Sequence, residues 1–175
     1  EYNMLVRTRM EKEYRRLFHL RGYGSTIWSP LCGGVLAGRY NEGEVPDDGR
    51  YAETSAMQDV IRKKKWNTYF APGNVEQTQK KLQALGVYAK ELGFTQAQLA
   101  LAWSIASTDT STCILGFSKL EQIDSNLQSL ELLKKWTPEI EAKCESILQN
   151  LPDPDFQFRN WTIYPSRRSE VTSSH

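Results

Sequence analysis

The chain has 175 residues, of which 39% are hydrophobic and 25% are charged, and its formal net charge is +1 at pH 7. This length and composition are typical of one globular domain with its own core. Balanced charge gives no electrostatic basis for binding nucleic acid, and no apolar run is long enough to span a bilayer. No signal-peptide core opens the sequence. We therefore expect no nucleic-acid partner and no membrane insertion.

The first third of the sequence predicts two strands and one helix. Residues 2–6 are interpreted as a strand or the end of one, and residues 9–20 as an amphipathic helix. Residues 25–29 are the next predicted strand, which Pro30 ends. From residue 31 to 73 the sequence is rich in glycine, proline and charge without periodicity, which predicts a long loop that is functional or disordered.

The second half of the sequence is dominated by predicted helices. The basic run at 62–65 precedes them and is interpreted as a solvated surface. Helix patterns follow over 74–93 and, behind a capping box of Thr95 and Gln98, over 95–106. A last helix over 137–151 has threonine at the N-cap and proline after it.

The stretch between these last two helices combines a strand, a glycine and a helix start. Residues 113–115 are a short apolar run, the pattern of a buried parallel strand, and Gly116 permits a sharp turn. Ser118 and Glu121 match the S-x-x-E capping box of a helix. A helix N-terminus suits a phosphate, and Lys119 adds a cation. An ordinary strand–helix turn without a ligand is the alternative. The predicted helix has an apolar face formed by Leu120, Ile123, Leu127 and Leu130.

The cysteines and histidines favour a reduced protein without a metal centre. Cys32, Cys113 and Cys144 are odd in number, widely spaced and set among apolar residues. This pattern is typical of packed thiols in a cytoplasmic protein rather than of a disulfide framework. Two histidines, His19 and His175, are too few to form a cluster. We therefore expect a cytoplasmic location and no metal.

Strands that alternate with helices predict an α/β fold with a parallel sheet. A complete (β/α)8 barrel needs about 250 residues, and the strands here would fill fewer than half of its places. We therefore predict a partial TIM-type barrel, about half of one, over residues 1–152. A surface tail is expected over 153–175, partly mobile, with Trp161 and Tyr164 packed.

Four segments in this order resemble the aldo-keto reductases: EYN at 1–3, WSPLCGGVLAGRY at 28–40, FTQAQLALAW at 94–103 and GFSKLEQIDSN at 116–126. Within that superfamily the chain is most similar to the branch that contains the voltage-gated potassium-channel beta subunits, a likeness also carried by residues 16–31 and 144–150. The resemblance implies the C-terminal half of the family's barrel, NADP(H) as the cofactor and a potassium channel as a possible partner.

The resemblance also implies which residues would bind the cofactor. The segment under the pyrophosphate would be Trp28, Ser29, Pro30, Leu31, Cys32 and Gly33. Arg39 and Arg50 would contact phosphates, for which a guanidinium group is suited. The 2′-phosphate and adenine would meet Gly116, Phe117, Ser118, Lys119, Gln122 and Asn126. Ser125 is a departure, because the branch usually has glutamate there. Packing of Trp28 in the core is the alternative for that residue.

The family's catalytic aspartate, tyrosine, lysine and histidine belong to the half of the barrel that has no counterpart in this sequence. The tyrosine acts as a general acid on the carbonyl while the nicotinamide supplies hydride. We therefore predict no catalytic residues in this chain and weak or absent NADPH binding by the chain alone. Its partner would be the missing N-terminal half or a second copy of itself. A self-associating half-barrel scaffold, or a truncated member, without a cofactor or catalytic role is the alternative.

Overall fold

A two-stranded parallel sheet is the centre of the fold. The computed structural model describes residues 1–55, 57–70 and 73–153. Strands β1 (Ser25–Trp28) and β2 (Thr110–Ile114) pair in parallel, with Trp28 opposite Ile114. A parallel pair needs a long crossover connection, and here helices provide it. The described part of the chain is thus α/β and consistent with part of a barrel.

The helical elements surround this sheet. In chain order they are a π-helical turn (Arg9–Glu13), α1 (Arg15–Arg21), a 3-10 helix (Cys32–Ala37), α2 (Asp59–Phe70), α3 (Val75–Glu91), α4 (Gln96–Ala106), α5 (Glu121–Leu127), α6 (Ser129–Leu133) and α7 (Pro138–Leu148). Among the described residues, none of these helices is both long and apolar enough to cross a bilayer.

Helix α4 lies inside the fold, in contact with α3, α6, β2 and the 3-10 helix. Its sequence is apolar on every side, and residues 98–104 are all buried. The predicted capping box is confirmed: Gln98 N donates to Thr95 Oγ1 at 3.2 Å, and Thr95 N donates to Gln98 Oε1 at 2.8 Å. Gln98 Nε2 also donates to Ser125 O at 2.7 Å, so the capping residue fixes α4 against α5.

A buried arginine joins the N-terminal residues to α7. Arg7 donates to Glu11 Oε1 at 2.8 Å, to Glu145 Oε2 at 2.7 Å and to Asn150 Oδ1 at 3.1 Å. Its guanidinium carbon lies 5.0 Å from the centroid of the Trp103 ring. Two carboxylates and an amide therefore compensate the burial of this charge, as a buried ion requires.

The prediction of a long loop over residues 31–73 is wrong, because this segment contains the 3-10 helix and α2. The intervening turns pack against α2 through the aromatic side chains of Tyr40, Tyr51, Trp66 and Phe70. The Tyr51 hydroxyl donates to Cys32 O at 3.2 Å, which fixes the loop against the chain that leaves β1.

The basic run at 62–65 is only partly solvated. Lys63 and Lys64 are exposed as predicted, whereas Arg62 is 8% exposed. Arg62 donates to Tyr51 O at 3.3 Å and to Asp59 Oδ1 at 2.9 Å. The run lies on one helix, so its members point in different directions and only some of them meet water.

Residues 2–6 form a turn rather than the predicted strand. Asn3 Oδ1 accepts from Leu5 N at 2.9 Å and from Val6 N at 3.0 Å, and an isolated antiparallel bridge joins Asn3 to Val6. An asparagine side chain that bonds the backbone two residues on stabilises such a turn. Tyr2 N still donates to Trp28 O at 3.4 Å, beside the end of β1. The described residues thus contain two strands, where three were predicted.

Two predicted helices are each divided in the structure. The helix over 9–20 consists of the π-helical turn and α1, with Met10 and Phe18 buried but Tyr14 and Leu17 exposed. The helix after Gly116 is divided into α5 and α6. The apolar face predicted for it is exposed at all four positions: Leu120, Ile123, Leu127 and Leu130.

The last helix agrees with its prediction except at its end. Thr137 Oγ1 accepts from Ile140 N at 3.4 Å, and Pro138 occupies the first turn of α7. Leu151, predicted to align with the buried residues, is exposed beyond the helix. The packing predicted for Trp161 and Tyr164 lies outside the described residues, and the proposed boundary at residue 152 stays a prediction.

Candidate functional site

The turns that follow β1 and β2 meet at one edge of the sheet. Because the strands are parallel and Trp28 pairs with Ile114, the chain leaves both strands on the same side. Residues 29–33 and 115–119 therefore both begin at this edge of the sheet. The carboxyl edge of a parallel sheet is where ligands bind in α/β proteins.

The turn after β1 has an unusual backbone. Ser29 (φ 59°) and Cys32 (φ 50°) are non-glycine residues in the left-handed region, a conformation that costs about 1–3 kcal/mol each. Asn3 Nδ2 donates to Ser29 O at 2.9 Å and helps to hold this path. At Gly33 an added Cβ would lie 2.8 Å from the Tyr51 hydroxyl oxygen, so only glycine fits. Strained backbone of this kind is concentrated at functional sites.

The six residues assigned to this turn differ in accessibility. Trp28 is 48% exposed, so the alternative that it packs in the core is wrong. Cys32 is buried, and desolvation raises the pKa of its thiol to about 11. This thiol is protonated at neutral pH and is no nucleophile. Pro30 is buried, and Ser29, Leu31 and Gly33 are half-buried. The turn therefore offers one ring and backbone groups to a ligand rather than a reactive side chain.

The turn after β2 gathers three hydrogen-bond donors on one oxygen. Gln122 Oε1 accepts from Ser118 N at 2.9 Å, from Ser118 Oγ at 3.3 Å and from Lys119 N at 3.3 Å. The predicted capping box of Ser118 and Glu121 is therefore wrong, because the Gln122 carboxamide takes its place. Helix α5 has only seven residues, and its N-cap, Leu120, makes no side-chain capping bond. The donors of this turn, rather than a long helix dipole, are what an anion could use.

The remaining residues assigned to this region differ in how much of each side chain is exposed to solvent. Phe117 and Lys119 are exposed, whereas Asn126 is 8% exposed and presents little of its amide to a ligand. Gly116 has no left-handed φ, and nothing lies within 4 Å of an added Cβ. Within the described chain neither the φ nor a neighbouring atom requires glycine at this position, and the expected close approach to a ligand stays a prediction.

The two candidate phosphate-binding arginines lie close to the β1 turn. An added Cβ at Gly34 would lie 3.6 Å from Arg39 Cδ, which places the arginine over the second glycine of the turn. Arg39 forms an ion pair with Asp48, so a phosphate would have to compete with that carboxylate. Arg50 is exposed beside Tyr51, the residue bonded to Cys32 O. Arg50 also lines a cleft of about 510 Å³ with Asp47, Asp48, Gly49, Thr54, Ser55 and Met57.

The sequence interpretation missed Lys65, which also belongs to this region. Lys65 Nζ lies 3.1 Å from Glu1 Oε1 and 5.2 Å from the centroid of the Trp28 ring. The basic run at 62–65 does not by itself distinguish Lys65 from its solvated neighbours. The aromatic residues Trp66, Tyr69 and Phe70 have helical i, i+3, i+4 spacing and were the available signal.

The sequence is similar to one protein family and to several potassium-channel beta subunits. A family profile described as "Aldo/keto reductase family" matches residues 1–148. A probable voltage-gated potassium channel subunit beta of Oryza sativa subsp. japonica is 35% identical over 159 residues, which are 91% of this chain and 45% of the relative. A probable voltage-gated potassium channel subunit beta of Arabidopsis thaliana is 34% identical over 167 residues, which are 91% of this chain and 45% of the relative. A putative voltage-gated potassium channel subunit beta of Schizosaccharomyces pombe is 38% identical over 160 residues, 91% of this chain and 43% of the relative.

The chain spans less than half the length of these curated relatives. The family match extends from the first residue through α7 and includes both turns at the sheet edge. The partial parallel sheet with surrounding helices agrees with part of the barrel that the family implies. On this match the chain belongs to the aldo/keto reductase family.

Proposed function

We propose that this chain supplies the half of an aldo-keto reductase-type domain that binds the phosphates and adenosine of NADP(H), in a protein related to potassium-channel beta subunits. The observation that carries the proposal is the convergence of Ser118 N, Ser118 Oγ and Lys119 N on Gln122 Oε1. A phosphate oxygen accepts from the same kind of donor set, and Lys119 adds a positive charge. The 2′-phosphate would take the place of the carboxamide oxygen.

The opposite turn supports the same proposal. Trp28 offers an exposed ring, whereas the side chains of Tyr51 and Arg39 cover the glycines at 33 and 34. Arg39 and Arg50 lie next to this turn and would bind phosphate oxygens by charge-assisted hydrogen bonds. The donors, cations and ring therefore fit a dinucleotide that lies along the carboxyl edge of the sheet.

Catalysis is not part of this proposal. The family's catalytic residues have no positions in this sequence, so we expect no NADPH-dependent carbonyl reduction by the chain alone. We propose that a complete protein contains or recruits the complementary half of the barrel. Since the relatives are named as channel subunits, association of that complete protein with a voltage-gated potassium channel is a further proposal, tested by co-purification with a channel's cytoplasmic domain.

The proposal is tested with a ligand that contains only the adenosine end of the cofactor. Addition of 2′,5′-ADP to ¹⁵N-labelled chain should shift the amide resonances of Ser118, Lys119 and Gln122 in a saturable way. Its 2′-phosphate provides the contacts, so 5′-AMP, which lacks that phosphate, should bind at least about tenfold more weakly, equal to about 1.4 kcal/mol. Lys119→Met should lower the affinity for 2′,5′-ADP and leave the affinity for 5′-AMP unchanged. The variant Lys134→Met is a matched control, since Lys134 is an exposed lysine bonded to Glu131.

Equal perturbation by the two nucleotides, or none by either at millimolar concentration, would contradict a 2′-phosphate site in this turn. Shifts confined to residues away from both turns would contradict it as well. The family membership would be unaffected by any of these results, because it rests on the sequence match alone.

A second candidate function is a self-associating half-barrel scaffold that binds no cofactor. The observation in its favour is the set of exposed apolar side chains around the sheet edge and α5: Trp28, Ile114, Phe117, Leu120 and Ile123. A contiguous patch of such side chains would mark an interaction site. The scaffold is favoured if the purified chain is dimeric and 2′,5′-ADP causes no shifts.

A further inference from the structure

We propose that Lys65 is a positioning residue of the candidate cofactor site, acting through the ring of Trp28. This inference rests on the proposed function for its ligand, whereas its structural part stands on contacts within the chain. Lys65 belongs to α2 and Trp28 ends β1, so their contact joins the crossover connection to the sheet edge.

The Lys65 ammonium group has two partners. It lies 5.2 Å from the centroid of the Trp28 ring, within the range of a cation–π interaction. It also lies 3.1 Å from Glu1 Oε1. The ammonium group therefore forms an ion pair with the Glu1 carboxylate and a cation–π contact with the Trp28 ring. The side chain of Lys65 is only 35% exposed, so both contacts are partly shielded from water.

The two preceding lysines do not share this position. Lys63 and Lys64 are exposed on α2, and neither makes an ion pair or a cation–π contact in the described part of the chain. One helix therefore offers three chemically identical side chains, of which one contacts the site. This provides a control within the same helix.

The contact would act by fixing the orientation of the Trp28 ring. A half-exposed tryptophan at a strand end can adopt several side-chain rotamers, and a ligand that stacks on it must first order the ring. Lys65 Nζ lies over the ring, and Trp28 is still 48% exposed. The ring is thereby ordered before the ligand binds. Loss of Lys65 should therefore lower the affinity for NADPH without removing any phosphate contact.

The test compares Lys65→Met, Lys65→Arg and Lys64→Met in the whole chain. Acrylamide quenching of Trp28 is obtained from each variant by subtracting its partner that also carries Trp28→Phe. Lys65→Met should raise this quenching about twofold. It should also lower the affinity for NADPH about two- to fivefold, which corresponds to the free energy of a partly exposed cation–π contact. Lys65→Arg keeps the cation and should restore both values, whereas Lys64→Met should change neither.

Unchanged Trp28 quenching in Lys65→Met would overturn the inference whether or not NADPH binds. Increased quenching with undiminished NADPH affinity would overturn the positioning role and leave only a structural contact. If the unsubstituted chain fails to bind NADPH, the proposed function and the role in binding both fail, while the quenching still decides whether Lys65 orders the ring. Failure of Lys65→Arg to restore the values would also contradict the role of the cation.

Discussion

Burial controls the chemistry of single residues in this chain, and the cysteines give the clearest case. Cys32 and Cys144 are buried and Cys113 is half-buried. Desolvation raises the pKa of Cys32 and Cys113 to about 11 and that of Cys144 to about 12. Since the thiolate is the reactive form, none of the three is poised for attack at neutral pH. The three thiols are free, as the sequence pattern predicted.

Thiol modification should therefore be slow in the folded chain. A rise in pKa from 9.0 to about 11 lowers the thiolate fraction at pH 8 about 100-fold. We expect Cys113 to react first with a disulfide reagent such as DTNB, and Cys32 and Cys144 to react only after addition of denaturant. The rates should keep rising with pH well above pH 9. Rapid reaction of Cys32 or Cys144 at pH 8 without denaturant would contradict their burial, and Cys113→Ser identifies the first thiol.

At the scale of elements, contacts between distant segments decide what local patterns cannot. Strand β1 and the helices α3, α4 and α7 were predictable, because each has its own apolar pattern or capping residue. Strand β2 was predicted as a buried run over residues 113–115, whereas it covers Thr110–Ile114 and Ile114 is 55% exposed. Helix α2 has aromatic residues at helical spacing, but glycine, proline and charge dominate the segment around it, and no local rule predicts that Trp66 packs on the loop residues Tyr40 and Tyr51. Residues 2–6 were misread because the asparagine-centred turn also contains an apolar run.

The candidate site shows the same division. The family resemblance implies both turns, and the parallel register places their starts at the same edge of the sheet, which spacing alone does not show. The bonds to Gln122 Oε1 were not predicted, because Ser118 and Glu121 match the common S-x-x-E motif and the sequence does not show that Gln122 accepts the bonds instead. Lys65 was not predicted because its role depends on the tertiary contact with Trp28.

The Arg7 cluster should contribute strongly to stability, since it joins the N-terminal segment to α7. Arg7→Met removes the cation and leaves Glu11 and Glu145 without their common partner. Loss of one member of a buried ion pair costs about 3–5 kcal/mol, and we expect a decrease of that size in the free energy of unfolding by urea. Arg9→Met, at an exposed arginine two residues away, should change it by less than about 0.5 kcal/mol. Equal effects of the two substitutions would contradict the role of the cluster.

At the scale of the whole molecule, the described residues carry a sheet of two strands with unpaired edges and exposed apolar neighbours. Unpaired edges favour association with another chain. We expect light scattering to give a mass above the 20.1 kDa of one chain, rising with concentration. Leu120→Asp should shift the protein toward the monomer, because Leu120 is a 79% exposed apolar side chain in the turn between β2 and α5. Val60→Asp, at an equally exposed residue of α2, is the control, and a monomer at all concentrations would contradict self-association.

The central claim is that this chain contains the phosphate and adenosine end of a cofactor site but only half of the complete pocket. The most direct measurement is calorimetric titration of the chain with NADPH, NADH and 2′,5′-ADP under one set of conditions. We predict that NADPH and 2′,5′-ADP both bind weakly, with Kd above about 0.1 mM, equal to about −5.5 kcal/mol or less in magnitude, that the Trp28 turn makes NADPH binding at most about fivefold tighter than 2′,5′-ADP binding, and that NADH binding is weaker still. NADPH binding that is much tighter than 2′,5′-ADP binding, or equal binding of NADH and NADPH, would contradict this account.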